Sequence, residues 1–171
     1  MIQSGTTTYT DMYYFEEVVA EATREAGLRG VLGETILGFP APDNKTTVAA
    51  FSYTEKFLER WKNDPLVVPA VAPHSAYACS ADILRRSRRL ATKFGAPLLI
   101  HVAETETEQR TIQEKHHLSP IAYLDSLGLL KPRTLAAHCV WVSPDEPRLP
   151  LRVEAGTFIG TSNRSGIVGR E

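Results

Sequence analysis

Cysteine is scarce in this sequence. Cys79 and Cys139 are the only two in 171 residues. Two thiols are too few for a disulfide scaffold, so a reducing cytoplasm is the expected setting. No apolar run approaches the length of a transmembrane helix. The first residues, Met1-Ile2-Gln3-Ser4-Gly5, lack the basic and apolar regions of a signal peptide. An excess of charge of either sign is lacking too. A formal net charge of −1 gives no electrostatic pull toward nucleic acid or an anionic membrane, so neither is an expected partner. What is present suits one ordinary globular domain: 43% hydrophobic and 23% charged residues can bury a core beneath a solvated surface.

Apolar runs alternate with helical periods along the chain. Residues 6–12 are rich in β-branched and aromatic types and predict a strand. Residues 15–26 predict a helix, with Phe15, Val18, Val19 and Ala22 on one face and Gly27 as its stop. A strand at 28–32 follows, then a loop at 34–44 holding Gly38, Pro40 and Pro42. Residues 45–62 predict a helix whose apolar positions are Val48, Phe51, Phe57, Leu58 and Trp61. Asp64-Pro65 turns the chain into a strand at 66–72, and Ser80 caps a helix at 81–94. That helix carries Arg85, Arg86, Arg88 and Arg89, expected as a solvated face because the chain as a whole is not basic. Residues 97–100 predict a strand and 106–115 a helix, followed by His116-His117 at the surface. A short helix at 119–127, stopped by Gly128, and a strand at 134–137 complete the pattern.

This βαβα alternation, with no hairpin signal, predicts a parallel sheet wrapped by helices. Three strands run directly into a histidine: His74, His101 and His138. Glu104 follows His101 in the loop beyond its strand. In parallel α/β folds ligands bind at the C-terminal ends of the strands. A neutral imidazole there can hold a metal, and a nearby carboxylate can move protons. For one strand alone, a hydrogen-bonded core histidine beside a helix-capping glutamate explains the residues as well. Three histidines at the same relative position, each about one βα repeat apart, would converge on one mouth in a barrel; an open doubly wound sheet could also align them, but would spread them wider.

Four motifs in this order resemble the amidohydrolase superfamily, most closely the branch of the methylthioadenosine/S-adenosylhomocysteine deaminases and triazine chlorohydrolase-like enzymes. They are Gly5-Thr6-Thr7-Thr8 with Asp11-Met12, Ala72-Pro73-His74-Ser75, His101-Val102-Ala103-Glu104-Thr105, and Ala137-His138-Cys139-Val140-Trp141. The resemblance runs from about Gly5 to Ser143 and implies an α/β fold, a partial (β/α)8 TIM-type barrel comprising strands two to six or seven. It implies that His101 is a ligand of one divalent metal, usually zinc. Glu104 matches the glutamate that moves a proton between water and a substrate ring nitrogen. His138 matches the histidine that orients the attacking water and stabilises the tetrahedral intermediate. His74, together with Glu104, matches the substrate-contacting positions. The implied activity is hydrolysis of a C–N bond in an adenine nucleoside or similar N-heterocycle, a small-molecule substrate. Guanine and triazine hydrolysis remain alternatives within the family, and an inactive partial barrel is the alternative outside it. The loop at 34–44 has no arginine to hold a carboxylate, which argues against homocysteine-containing substrates. The absence of Pro-Cys-x-x-Cys excludes the cytidine-deaminase type of zinc site.

The family's remaining ligands are a His-x-His after strand one and an aspartate after strand eight. This sequence has no His-x-His, and a full barrel needs about 250 residues. The chain is therefore expected to be a fragment of the intact enzyme, and not to retain zinc by itself, because catalytic sites normally use three protein ligands. Residues 1–143 are expected to be the partial barrel, with 156–159 as a further strand. Residues 144–171 are expected to be an aberrant tail, in which Pro144, Pro147 and Pro150 would break the helix the family has there. Open sheet edges predict association of copies, so a homo-oligomer stays open.

Overall fold

The computed structural model describes residues 1–142 and the backbone of a strand at 158–160. The rest of the expected tail lies outside the described residues. Six strands form one sheet: β1 (Thr8–Tyr13), β2 (Arg29–Ile36), β3 (Val67–Pro73), β4 (Leu98–Val102), β5 (Thr134–His138) and β6 (Phe158–Gly160). Their spatial order is their sequence order, and every neighbouring pair is parallel. Five helices lie between strands: α1 (Glu16–Glu25), α2 (Thr47–Trp61), α3 (Ala81–Phe94), α4 (Glu106–His116) and α5 (Pro120–Ser126). Sequential parallel strands, β1 to β5 each linked to the next through helix, build the curled wall of a β/α barrel.

The helix boundaries follow local chemistry. Ser80, Thr46, Thr105 and Ser119 stand at helix N-caps, and each side-chain oxygen accepts a backbone N–H from the first turn. Those oxygens satisfy donors that have no partner within the helix. Pro120 opens α5, where its missing N–H costs nothing. Gly95 ends α3 at φ 62°, a conformation that only glycine adopts without strain. The expected span of α3 is the observed one.

The sheet is buried on two faces, as a central parallel sheet must be. Toward the helices, Leu32 and Val67 pack with Ala20, Phe57 and Trp61. Further along, Ile36, Val71, Leu98 and Ile100 join Phe51, Leu58, Leu84 and Leu124. The alternate residues Ala70, Ala72 and Leu99, with Val31 and Leu135, line the inner, barrel-lumen face. Gly33 belongs to this face as well. A Cβ there would sit 2.6 Å from the Cβ of Ala72, so β2 and β3 lie too close for a side chain.

Four expectations are corrected here. First, β2 continues to Ile36, so Glu34 is a strand residue with no solvent exposure rather than the start of the loop. It is stabilised there by α1, whose first N–H groups it faces: Glu16 N donates to Glu34 Oε2 at 3.1 Å. Second, α1 buries Glu16, Ala20 and Thr23, whereas Phe15 and Val18 are exposed. Polar anchors set the helix rotation: Glu16 Oε1 accepts Tyr13 N at 3.0 Å, and Thr23 pairs with the Tyr9 hydroxyl. Third, Arg88 is buried instead of solvated. Its guanidinium donates to Leu129 O at 2.9 Å and Thr134 Oγ1 at 2.6 Å, tying α3 to the loop that enters β5. Fourth, Val48, read as an apolar position of α2, is exposed. Among the described residues no helix is long and apolar enough to cross a membrane.

Candidate active site

The strand ends are stitched together by backbone bonds that continue past the sheet. His74 N donates to Ile36 O at 3.1 Å, and His101 N donates to His74 O at 2.9 Å. Ser75 and His101 form a parallel bridge beyond the end of β3. His74 and His101 keep the alternation of their strands, in step with Ala72 and Leu99, and so face the lumen. His138 does not, since its strand neighbour Ala136 packs on the helix side. A left-handed φ of 72° at His138, followed by 49° at Cys139, breaks the alternation and brings the ring to His101.

Left-handed backbone costs a non-glycine residue of order 1–3 kcal/mol and persists only where surrounding bonds hold it. Here they do. Cys139 N donates to Val102 O at 2.9 Å, and Val140 N and Trp141 N donate to Ala103 O at 3.0 and 2.9 Å. Ala103 is itself left-handed at φ 49°. The turn after β5 is therefore locked onto the turn after β4.

All four expected site residues meet at this mouth. The His74 and His101 rings lie 5.0 Å apart, and those of His101 and His138 4.9 Å apart. His138 Nε2 is 3.0 Å from His101 Nδ1 and 3.6 Å from Glu104 Oε1. The ring of His74 meets Tyr77 edge-on, and its Nδ1 sits 2.9 Å from Ser75 Oγ. The other two histidines stand elsewhere; His116 stacks on Tyr123 at 4.0 Å and His117 ends α4.

The electrostatics suit neutral imidazoles. Burial, together with the neighbouring His74 and His138, pushes the His101 pKa down to about 4, against the opposing pull of Glu104. Burial also lowers His74. A neutral imidazole keeps a lone pair for a metal or a proton.

His101, Glu104 and His138 each offer one ligand atom, and these atoms lie within 4.8 Å of one another. Two donors about 2.1 Å from a shared tetrahedral ion stand about 3.4 Å apart. Two of the three spacings, 3.0 and 3.6 Å, bracket that value, and the third lies within 4.8 Å. The donor set thus fits a divalent metal, and it includes two residues whose expected roles are not those of ligands.

Two supporting residues were not singled out from the sequence. Ser75 is fully buried beside His74; it belongs to the Ala72-Pro73-His74-Ser75 motif, from which only His74 was assigned a role. Glu108 is 2% exposed and accepts Glu104 N at 2.9 Å. Its signal was the Thr105-x-x-Glu108 spacing of a capping box.

The chain is 43% identical over 159 residues to a 5-methylthioadenosine/S-adenosylhomocysteine deaminase of Syntrophobacter fumaroxidans, a match covering 93% of this chain and 36% of that protein. It is 40% identical over 149 residues to a 5'-deoxyadenosine deaminase of Methanothrix thermoacetophila, covering 87% and 34%. Among solved structures, an adenosine deaminase from Xanthomonas campestris with bound zinc superposes with a TM-score of 0.80 at 30% identity, covering 83% of this chain and 32% of that one. The chain spans about a third of the length of the curated relatives it matches. With the sequence model of the Amidohydrolase family matching residues 1–166, the chain belongs to that family.

Proposed function

We propose that this chain forms one flank of the catalytic mouth of a metal-dependent aminohydrolase that removes an exocyclic amine from an adenine nucleoside or similar N-heterocycle. The observation that carries the reading is the convergence of Glu104 and two imidazoles at the ends of adjacent parallel strands, within 3.6 Å along the chain Glu104–His138–His101. The names of the deaminase relatives supply the substrate class.

His101 is the residue that would hold the metal, from the lumen face of β4. A divalent ion there supplies a Lewis acid and brings the pKa of water to about 7. Glu104 is the proton carrier. Attack on an aromatic C–NH₂ carbon disrupts the ring, so the adjacent ring nitrogen must take up a proton as the bond to oxygen forms. A half-exposed carboxyl at the mouth can collect that proton from water and hand it on. His138, within reach of Glu104 and backed by His101, orients the attacking water and stabilises charge on the oxygen that develops. His74 contacts the substrate, with its ring held by Ser75 and flanked by Tyr77. Glu104 faces the substrate from the other side.

The test is metal analysis with a deamination assay on the 171-residue chain and on a completed barrel. Adenosine, methylthioadenosine, S-adenosylhomocysteine, guanine and an aminotriazine serve as the substrate arms. Ammonia release from an adenine nucleoside by the completed, metal-loaded barrel is the expected result. Turnover of guanine or the triazine alone would move the substrate assignment within the family. No turnover of any arm at full metal occupancy would end the reading.

A further inference from the structure

A second glutamate stands behind the site. Glu108, in the first turn of α4, is almost wholly buried. Its N–H is capped by Thr105 Oγ1 at 3.1 Å. In an ordinary capping box the carboxylate at this third position turns back to the N–H of the cap residue itself, which here is Thr105. Glu108 reaches one residue further, and its Oε2 accepts the N–H of Glu104 at 2.9 Å.

That N–H belongs to the peptide joining Ala103 to Glu104. The carbonyl of the same peptide accepts Val140 N and Trp141 N, the residues that follow His138 and Cys139. One peptide plane is thus gripped from both sides. On its N–H side is the carboxylate of Glu108; on its C=O side is the turn that re-aims His138. The plane is reached through Ala103 at a left-handed φ, so it needs holding. A charge-assisted bond from a buried carboxylate is a strong way to hold it.

We propose that Glu108 is the positioning residue of this site, fixing through the Ala103–Glu104 peptide both the origin of the Glu104 side chain and the anchor of the His138 turn. The assignment rests on the reading of Glu104 and His138 as the proton-handling pair, but it is a statement about backbone. It can therefore fail or stand independently of turnover.

Hydrogen–deuterium exchange of the 171-residue chain, read by mass spectrometry, tests it with the variants Glu108→Ala, Glu108→Gln and Thr105→Ala. Removing the carboxylate is expected to speed amide exchange about tenfold at residues 103–105 and, across the strand gap, at 139–141. Thr105→Ala removes a helix cap alone and should affect only the first turn of α4. Glu108→Gln should restore protection in both segments, because its amide oxygen can accept the same N–H. Unchanged exchange at 139–141 in Glu108→Ala, or equal acceleration there by Thr105→Ala, would reduce Glu108 to a helix cap. Should Glu108→Ala fail to fold, Glu108→Asp replaces it. The shorter side chain cannot span to Glu104, so protection at 139–141 equal to that of Glu108→Gln would overturn the proposal.

Discussion

Glu34 Oε2 accepts the backbone N–H of Glu16 at 3.1 Å inside the sheet–helix layer, where neither residue has any solvent exposure. Burial first, and then the Asp11 charge, push Glu16 up to about 8. Burial, a hydrogen bond shared with Asp43 and the charges of Asp43 and Glu16 push Glu34 up to about 9. Both carboxyls hold protons in the folded chain that they release near pH 4.5 when it unfolds. Folding then binds protons between about pH 4.5 and 9, so this part of the stability is full below that window and is lost as pH rises through it. The melting midpoint is expected to fall between pH 6 and pH 9, and Glu34→Gln should flatten the slope. Thermal unfolding followed by circular dichroism across that range checks it; a midpoint that rises with pH contradicts the assignment.

Gly33→Ala should destabilise the chain by about 1–3 kcal/mol, the usual cost of forcing atoms into a filled interior. The added methyl would meet Ala72 at 2.6 Å and Leu99 at 3.3 Å. Denaturant titration of the variant against the parent measures it. An unchanged midpoint would mean that β2 and β3 can move apart freely.

In a completed barrel, Glu104→Gln should leave metal content unchanged while turnover falls by about 10²–10⁴, the usual contribution of a positioned acid–base group. His101→Ala should lose metal and turnover together. Elemental analysis beside the rate separates the two; loss of metal in Glu104→Gln would make Glu104 a ligand instead.

The 171-residue chain alone is expected not to deaminate adenosine, methylthioadenosine or S-adenosylhomocysteine, with or without zinc. Any ion bound among His101, Glu104 and His138 would occupy the groups proposed above to move protons and orient water. Turnover rising in proportion to added zinc would show a ligand set beyond these three.

The βα alternation and the strand-end histidines were legible because period and punctuation are local. A strand two residues longer or shorter still delivers His74, His101 and His138 to the same end of the sheet. The buried ionisable groups were not legible. Helical phase puts Arg88 on the face of Leu84 and Ala91, but the carbonyl of Leu129 and the hydroxyl of Thr134 that let a guanidinium be buried there lie far along the chain. Glu16 and Glu34 are buried for the same reason, through each other and Asn44, whose Nδ2 donates to Glu34 Oε1 at 3.1 Å. Hydrophobic periodicity also put Phe15 and Val18 inside, whereas these polar anchors turned them out. The entry of His138 into the lumen depends on a left-handed backbone that β-propensity does not foresee.

Among the described residues β1 pairs with β2 alone, leaving one edge of hydrogen-bonding groups open. Such edges recruit further strands. The chain prepared by itself is expected to run as an assembly larger than 18.9 kDa. Light scattering across a dilution series decides it, and a single-chain mass at every concentration would refute the expectation.

Because the strands stand side by side in the order in which they are written, chemistry here is divisible by position along the gene. His74 belongs to one βα unit, His101 and Glu104 to the next, and His138 to the one after. An insertion or exchange confined to one connecting segment edits one group and leaves the strands carrying the others in register. On the roles proposed above, substrate preference and proton handling can then drift separately: variation after β3 alters what His74 meets, while the turns after β4 and β5, latched to each other through Ala103, must change as a pair.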